Sequence, residues 1–386
     1  MRLQHIPDRL ARIPARPGTG ARAVAVVGAA VLAAAVLAPQ PAMATPLPEG
    51  DGSVGAVGAV TPLADAGTYT MVDLGKLGQR TYPQAINTWL EVAGHFFDPD
   101  EGWHAFFSSP WRTGGSLVRL PELPCPDCAS LASHAMAING WGTIAGTSSA
   151  PDGTHAVLWV GDTVRDLGKF GEDANVTGMN NRGQVVGYGL TPAGEWHAFV
   201  WSEATGMRDI APDLGWARAY DINDRGQIVG QCGDEVTTAK ACLWEPDGTL
   251  RIVAGRPDDN AIARAINNRG VVVGSYGDAD RHDRAFAWSA GVLTPLTGAD
   301  DHSAIATDVN DAGTIVGHWY LPSPVGPWVW RDGHLTELPA SASGSRQGPP
   351  TPYAVNRIGV IAGTSGTEDD PWFHAVLWHP SGLPAG

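Results

Sequence analysis

One degenerate pattern occurs seven times between residues 69 and 380, and it restricts the chain to a repeat fold. Its fullest copy reads VTGMNNRGQVVGYGLTPAGEWHAFVW, from Val176 to Trp201. An anchor asparagine recurs at spacings of 52, 41, 43, 44, 43 and 46 residues, with a glycine seven positions after each. The anchors are Asn87, Asn139, Asn180, Asn223, Asn267, Asn310 and Asn356.

Each copy predicts four short β-strands separated by Gly, Asn, Asp and Pro. In the fifth copy these strands are ARAIN, VVVG, RAFAW and LTPL, all lying between Ala263 and Leu296. The Asn-x-x-Gly segment predicts a tight turn, in which the asparagine bonds nearby backbone and the glycine takes a positive φ. Because Leu90 replaces this glycine in the first copy, we expect the first hairpin to turn differently.

Repeats of this length with four strands predict an all-β, seven-bladed β-propeller of four-stranded antiparallel blades. A tryptophan ends the third strand in six copies, and Ser108 replaces it in the first; we expect this tryptophan to fill the space between blades. Only eight residues follow Trp378, too few for a fourth strand. The segment Tyr69 to Gly75 resembles a fourth strand, so we expect the N-terminal strand to complete the last blade.

The AIN-x-x-G-x-V-V-G and HAF-x-W segments resemble those of the HAF-repeat family of predicted extracellular proteins. The resemblance covers about residues 69–380, and His-Ala-Phe is intact only at 104–106 and 197–199. It implies a repeat fold and export from the cell, and it carries no assigned activity or catalytic residue.

Residues 1–44 are typical of a secretory signal peptide. Five arginines precede an apolar run from Ala23 to Ala38, and Ala42-Met43-Ala44 fits a cleavage site. The run is shorter than the roughly 20 residues of a membrane span, although an uncleaved anchor remains the alternative. The absence of a twin-arginine pair favours the general secretory route. Residues 45–67 predict a flexible Pro/Gly/Ala linker, and residues 68–386 the propeller.

The charge of the chain argues against binding to nucleic acid or to anionic membranes. The net charge is −15, and removal of residues 1–44, which carry five arginines and Asp8, changes it to −19. We therefore predict a secreted, extracellular protein that has no membrane span after cleavage and is a monomer.

Four cysteines fit an exported protein with local disulfides. Cys232 and Cys242 flank one hairpin loop and could bridge it, and Cys125 and Cys128 form a C-x-x-C segment between the first two blades. A redox role would need a thioredoxin-like context, and a zinc site would need two further ligands. A disulfide within each pair is therefore the preferred interpretation.

The recurring histidines favour a structural role over metal binding, because equivalent positions on different blades lie far apart. They are His104, His155, His197 and His374. No cofactor is predicted, and Ca²⁺ bound by loop carboxylates is the alternative. The segment from Asp98 to Gly102 resembles the start of a Ca²⁺ loop, but it lacks the distal glutamate that such a loop requires.

Candidate binding residues lie in loops that differ between copies. The loops joining strands two and three and those joining successive blades emerge on one side of a propeller, here called the loop face. We expect this face to be acidic and to expose aromatic side chains. The candidates are Asp98, Asp100, Glu101, Trp103, Glu195, Trp196, Asp278, His318, Trp319, Tyr320, Asp370 and Trp372.

The leading hypothesis is a secreted, non-catalytic scaffold that binds an extracellular protein or glycan through this acidic-aromatic face. No nucleophile elbow, H-E-x-x-H or P-loop segment occurs in the repeat region, which argues against an enzyme without excluding one. The alternative is a carbohydrate-active hydrolase or lyase that uses paired loop carboxylates. A third possibility is a purely structural envelope or matrix component, and the repeats alone do not choose among the three.

Overall fold

A computed structural model gives the arrangement of 28 β-strands in seven four-stranded antiparallel sheets. It describes residues 69–126, 128, 131–234, 238–255, 260–278, 282–297, 303–320, 326–339, 349–366, 370 and 372–381. The predicted signal peptide and linker lie outside these residues. Within them, no helix is long and apolar enough to cross a membrane.

Each sheet is one blade, and its strands follow the chain from the inner edge to the outer edge. Blades 1 to 4 consist of β2 (Arg80–Ile86), β3 (Val92–Asp98), β4 (Gly102–Ser108) and β5 (Val118–Arg119); β6 (Ser133–Ile138), β7 (Ile144–Ala150), β8 (Gly153–Val160) and β9 (Thr163–Gly168); β10 (Asn175–Met179), β11 (Val185–Leu190), β12 (Trp196–Ser202) and β13 (Gly206–Asp209); and β14 (Trp216–Ile222), β15 (Ile228–Gly233), β16 (Lys240–Trp244) and β17 (Leu250–Ala254). Blades 5 to 7 consist of β18 (Ala261–Ile266), β19 (Val272–Gly277), β20 (Asp283–Ser289) and β21 (Val292–Pro295); β22 (Ser303–Val309), β23 (Ile315–Tyr320), β24 (Gly326–Arg331) and β25 (His334–Glu337); and β26 (Thr351–Val355), β27 (Ile361–Ser365), β28 (His374–Pro380) and β1 (Tyr69–Gly75).

The ring closes through the N-terminal strand. Strand β1 pairs antiparallel with β28, from Tyr69 opposite Pro380 to Gly75 opposite Ala375. The inner strands of neighbouring blades are in contact all the way round, including β26 with β2. The prediction of a seven-bladed propeller completed by the segment at Tyr69 is therefore confirmed.

The repeated glycine is required within each blade, where the two innermost strands approach closely. Gly230 lies opposite Ala219, next to a bulge in β14. A Cβ atom added to Gly230 would overlap the carbonyl oxygen of Arg218. The same overlap with the backbone of the inner strand would arise at the other six repeat glycines: Gly94, Gly146, Gly187, Gly274, Gly317 and Gly363.

The anchor asparagine forms the predicted turn in every blade. In blade 4, the Oδ1 atom of Asn223 accepts the backbone N–H groups of Arg225 and Gln227 at 3.0 and 3.1 Å. The expectation that the first hairpin turns differently is wrong. Leu90 has a φ of 60° and donates its N–H to the Asn87 carbonyl, as the glycines of the sibling turns do. The turn geometry persists because Asn87 makes the same bonds, and Leu90 takes on the strain.

The asparagine side chains also join the blades to one another, which turn chemistry alone does not predict. The Asn223 Nδ2 donates to the Asn267 carbonyl of the next blade at 3.0 Å. Equivalent bonds run from Asn87 to Asn139, Asn180 to Asn223, Asn267 to Asn310, Asn310 to Asn356 and, across the closure, Asn356 to Asn87. These turns lie on the side opposite the loop face, here called the turn face.

The hydrophobic core lies between blades, in clusters that each combine two neighbouring sheets. Val316 of blade 6, for example, packs with Ile361 and Trp378 of blade 7. Trp378 and Trp159 are fully buried, and Trp201 and Trp244 nearly so. The predicted wedge role is confirmed for these four tryptophans, whereas Trp288 and Trp330 are half-buried at the edges of their clusters.

Both predicted disulfides are present. Cys125 pairs with Cys128 after blade 1, with Cα atoms 5.4 Å apart, and Cys232 pairs with Cys242 across β15 and β16, with Cα atoms 5.9 Å apart. Each closes a short loop on the loop face.

We expect Gly230→Ala to lower the free energy of unfolding by about 1–3 kcal/mol, because the new methyl group overlaps backbone that cannot move away. Gly215→Ala in the same blade is the control, since a Cβ there meets only ordinary contact. Urea unfolding followed by tryptophan fluorescence would measure both. Equal stability of the two variants would contradict the packing argument.

We expect Asn223→Asp to lower the free energy of unfolding by about 1–3 kcal/mol, because it keeps the acceptors of the turn but loses the donations of the amide to the Asn267 carbonyl and to the Gln227 side chain. Asn223→Ala removes the turn bonds as well and should cost more. If Asn223→Asp unfolds at the same urea concentration as the wild type, the bond between blades contributes nothing.

Candidate functional site

Seven bulged residues line the middle of the central channel. In each blade the pairing of the two innermost strands shifts register three residues before the anchor asparagine, as at Tyr220 between Ala219 and Asp221. A bulge turns the extra side chain away from the regular pleat. These side chains surround a cavity of about 220 Å³, here called the axial chamber. They are Gln84, Met136, Thr177, Tyr220, Arg264, Thr307 and Tyr353.

Two carboxyl groups border the axial chamber. Asp221 accepts the N–H of Ile222 and, from the next blade, that of Ile266, at 2.8 and 2.9 Å. Asp308 does the same with Val309 and Val355, at 2.7 Å each. Both oxygens of each carboxyl are therefore bonded to backbone, and each side chain links two inner strands.

Enclosure by the ring shifts the titration of both groups. Burial raises the pKa of Asp221 to about 6 and that of Asp308 to about 7, and the Asp221 carboxylate adds to the second rise. Each still keeps some exposed surface, because it faces the channel. Near neutral pH the chamber therefore carries less negative charge than two ordinary aspartates would give it.

Above the chamber, at its loop-face mouth, the guanidinium of Arg218 packs against three aromatic rings. Its Cζ atom lies 4.7 Å from the ring centroid of Tyr188 and 5.1 Å from those of Trp196 and Trp216. Its Nε atom is buried and has no hydrogen-bond partner in the described part of the chain. The predicted binding residue Trp196 is thus one of three rings that contact Arg218, an arginine that the sequence analysis did not single out.

Arg264 continues this basic region into the next blade. Its Nε is buried and likewise unpartnered among the described residues, and burial lowers the pKa of the guanidinium. Tyr220 and Asp283 are the charged or titratable groups that oppose this shift. Burial and the nearby Arg264 lower the pKa of His318 to about 4, which leaves that imidazole neutral. The ring of the predicted residue Tyr320 lies 6.3 Å from that of His318.

A third inner-strand arginine lies near blade 7. Arg80 packs over the ring of Trp372, 5.1 Å from its centroid, and its Nε is a further buried atom without a described partner. Arg80, Arg218 and Arg264 therefore bring three guanidinium groups, each with an Nε atom that lacks a described partner, to inner strands: Arg80 and Arg218 on the loop-face side and Arg264 in the lining of the axial chamber.

Trp103, another predicted residue, belongs to an aromatic cluster on blade 1. Its ring lies 5.3 Å from that of His95, 5.7 Å from Tyr82 and 5.8 Å from His134 of blade 2. Burial, with a smaller effect of His134, lowers the pKa of His95 to about 3. The cluster is therefore uncharged at its centre and offers ring surface to the mouth.

Three of the six predicted loop acids are bonded to basic side chains. Glu101 pairs with Arg119, Asp278 with Arg284 at 2.6 Å, and Asp370 with Lys76. Glu195 lies 3.6 Å from His197. Asp98 caps its own loop by accepting the N–H of Asp100 at 2.9 Å, and Asp100 itself is exposed.

The recurring histidines take part in the same local pairing, which bears out their predicted structural role. The Nδ1 of His197 lies 2.7 Å from Asp209 on the outer strand of its blade. His104, His155 and His374 pair in the same way with Glu122, Asp166 and Asp73. Within the described residues, no three His, Cys, Asp or Glu side chains are arranged to hold a metal ion.

The expectation of exposed aromatic side chains on the loop face is wrong. Trp103, Trp196, Tyr320 and Trp372 are half-buried against inner-strand residues. Trp319 is also half-buried, and it packs on Trp328 in the core between blades, with ring centroids 6.2 Å apart. The physical reason is that strands β12, β23 and β28 begin or end close to these rings, so that neighbouring blades cover them.

Sequence reasoning missed Arg80, Arg218, Arg264, Asp221 and Asp308. A signal for the last three was available, because they occupy positions three or two residues before the anchor asparagine. The sibling blades hold alanine or glycine at the aspartate position: Ala85, Ala137, Gly178, Ala265 and Ala354.

Comparison with known proteins supports the fold alone. No family model matches the chain, and no curated protein matches its sequence. The β-propeller domain of the Trilobed protease from Pyrococcus furiosus is similar in structure, with a TM-score of 0.56 and 11% identity over 80% of this chain and 95% of that one. Catalytically inactive virginiamycin B lyase from Staphylococcus aureus, solved with quinupristin, gives 0.51 and 11% over 80% and 99%. U3-55K gives 0.51 and 14% over 83% and 100%.

We expect the pH dependence of stability to change in the double variant Asp221→Ala, Asp308→Ala. Both folded-state pKa values lie above the ordinary value of 3.8, so the folded chain binds more protons than the unfolded chain between about pH 4 and pH 7. These groups therefore destabilise the fold increasingly as the pH rises through that range.

Relative to the wild type, the melting temperature of the double variant should rise by several degrees between about pH 5 and pH 8. Each unit by which a pKa is shifted corresponds to about 1.4 kcal/mol of stability. Alanine is the natural residue at this place in four sibling blades. Exposed Asp162→Ala serves as the control. A difference from the wild type that does not vary with pH would contradict the raised pKa values.

Proposed function

We propose that this protein is a secreted, non-catalytic binding propeller that recognises an anionic segment of an extracellular protein or glycan at the loop-face mouth of its channel. The observation that carries the proposal is Arg218, whose guanidinium is held against three aromatic rings while its buried Nε lacks a described partner. An arginine fixed in this way is prepared to bind a carboxylate, sulfate or phosphate group.

The charge expected of the ligand is the reverse of the one that the acidic loops suggest. Those acids are largely paired with Arg119, Arg284, Lys76 and His197. The guanidinium groups of Arg218 and Arg264 make no ion pair among the described residues. Asp283 offsets part of the burial of Arg264, and the Nε atoms of both arginines are buried without a described partner, so an anionic ligand would gain affinity by completing their bonds.

The aromatic rings around these arginines support recognition of an extended ligand. Trp196, Tyr188 and Trp216 surround Arg218, while Tyr82 and Trp103 lie on the blade 1 side of the mouth. Ring faces bind peptide or sugar surfaces at little cost in side-chain entropy. A ligand that spans several blades would use both features.

Binding is favoured over hydrolysis by the state of the carboxyl groups. A glycosidase needs two carboxyls that are free to reach the substrate. The two carboxyl groups that border the axial chamber, those of Asp221 and Asp308, have their oxygens bonded to backbone N–H groups. Glu101, Asp278 and Asp370 are engaged in ion pairs.

Secretion is part of the proposal. The Arg-rich, apolar segment before residue 45 and the two disulfides support it. Membership of the HAF-repeat family, inferred from the repeated sequence segments, would agree with secretion.

Binding of the purified chain to polygalacturonate, poly-glutamate and uncharged dextran, measured by biolayer interferometry at two salt concentrations, tests the proposal. We expect salt-sensitive binding to at least one polyanion, and Arg218→Ala should weaken it by about tenfold or more, the equivalent of 1.4 kcal/mol. Arg165→Ala is the matched control, because Arg165 also packs on a tryptophan but is exposed and paired with Glu203.

Arg218→Lys keeps the positive charge. It tests whether weaker binding by Arg218→Ala results from loss of the binding group or from loss of folding. It should retain part of the binding, because lysine still attracts the anion without the planar contact. Equal binding by the wild type and Arg218→Ala, with unchanged melting temperatures, would reject this site.

A further inference from the structure

Three tryptophan side chains lie largely in solvent on blades 1 and 2, at the turn face. Their exposed fractions are 61% for Trp89, 77% for Trp111 and 82% for Trp141. Trp89 and Trp141 lie in the asparagine turns of the first two blades, and Trp111 lies in the connection from β4 to β5, which ends on the same side. Large aromatic side chains this exposed are uncommon on a soluble surface and mark sites of recognition.

Hydrogen bonds hold two of these indoles across the neighbouring turns. The Nε1 of Trp89 donates to the Gly140 carbonyl at 3.1 Å, and that of Trp141 donates to the Asn181 carbonyl at 3.3 Å. Gly140 directly precedes Trp141, so the indole of Trp89 reaches the backbone next to the residue that carries the second indole. The two rings therefore follow one another around the face, one blade apart.

An insertion brings the third ring to the same sector. Nine residues, 109–117, separate β4 from β5, whereas two, 161–162, separate β8 from β9. The Ser109 hydroxyl orders this loop by accepting the N–H groups of Trp111 and Arg112 at 3.3 Å each. It also donates to Glu91 at 3.5 Å, and Glu91 accepts from Asn87. Trp111 is thus tied to the turn that carries Trp89.

The turn that presents Trp89 is also strained. Leu90 has a positive φ of 60°, while the sibling turns place glycine there. Strain of this kind persists where the surrounding structure enforces it, often at a functional surface. The tryptophan pair, the insertion and the strained leucine are three departures from the repeat, and all three converge on one sector of one face.

We propose that Trp89, Trp111 and Trp141 form a platform that binds a polysaccharide chain by stacking its sugar rings on the indoles. The indole N–H groups of Trp89 and Trp141 are already bonded, so these two rings offer flat faces, which suit the C–H face of a pyranose ring. The same face carries the polar opening of the channel, a cavity of about 260 Å³ whose lining includes the anchor asparagines, Thr88 and Asn181. Amide and hydroxyl groups there can bond the sugar hydroxyls of a chain that extends from the rings towards the channel.

A repeating ligand also fits a repeating platform. Trp89 and Trp141 hold the same place in successive blades, so one chain of sugar rings can meet both. The platform lies on the face opposite Arg218, and it requires no charge on the polysaccharide. It is therefore independent of the function proposed above.

Sedimentation of the purified full chain with insoluble cellulose and chitin, and affinity electrophoresis in gels containing soluble β-glucan, test the platform with uncharged polymers. We expect binding to at least one of these polymers. Each substitution, Trp89→Ala, Trp111→Ala or Trp141→Ala, should weaken binding by about 2- to 12-fold, the equivalent of roughly 0.5–1.5 kcal/mol for an aromatic contact. The triple alanine variant should not bind.

Three controls make the result decisive. The triple phenylalanine variant retains ring faces and should keep measurable binding, and Ile252→Ala removes another exposed apolar side chain without effect. Arg165→Ala, which lies outside both proposed sites, should bind these polymers like the wild type, and the triple alanine variant should keep the binding of the wild type to poly-glutamate, which separates failure of the platform from failure of the loop-face site. The proposal is overturned if the wild type binds none of the polymers, if the triple alanine variant binds as well as the wild type, or if its only defect is loss of self-association in analytical ultracentrifugation.

Discussion

The structure depends on the contact between neighbouring inner strands, where each blade must be joined to the next without a shared sheet. The anchor asparagine makes that contact with one side chain. Its Oδ1 orders the turn of its own blade, and its Nδ2 reaches the carbonyl of the next anchor, as Asn356 does to Asn87 across the closure. A buried amide that satisfies several backbone groups is expensive to replace, which explains why the residue recurs in every blade.

A second consequence follows from packing. The repeat glycine allows the second strand to lie against the bulged inner strand, and the bulge in turn points one side chain per blade into the channel. The scaffold therefore fixes where seven variable side chains will meet, while the repeat leaves their chemistry open. Tyr220, Arg264 and Tyr353 occupy such positions. The polarity of the axial chamber depends on the side chains around these residues as well as on the residues themselves.

The charge that each site presents likewise depends on local contacts. The chain is acidic overall, but many of its loop carboxylates are engaged by histidine, lysine or arginine within the same blade or at the closure, as with Glu195 and His197 or Asp370 and Lys76. The guanidinium groups of Arg80 and Arg218, by contrast, rest on aromatic rings. A net charge of −15 thus coexists with a local site suited to an anion, since binding responds to the groups within a few ångströms of the ligand.

The sequence by itself determined the number of blades, the closing strand and both disulfides, because strand period, turn residues and cysteine spacing are local properties repeated many times. It also placed Trp103, Trp196, His318 and Trp372 on the loop face, since they occur in loops of known direction. Only the tertiary structure decided that these rings are half-buried, that Arg218 packs among them, and that Trp89 and Trp141 remain exposed on the other face. Exposure and pairing depend on which residues the neighbouring blade supplies, and those neighbours lie some 40 to 50 positions away along the chain, or nearly 300 at the closure.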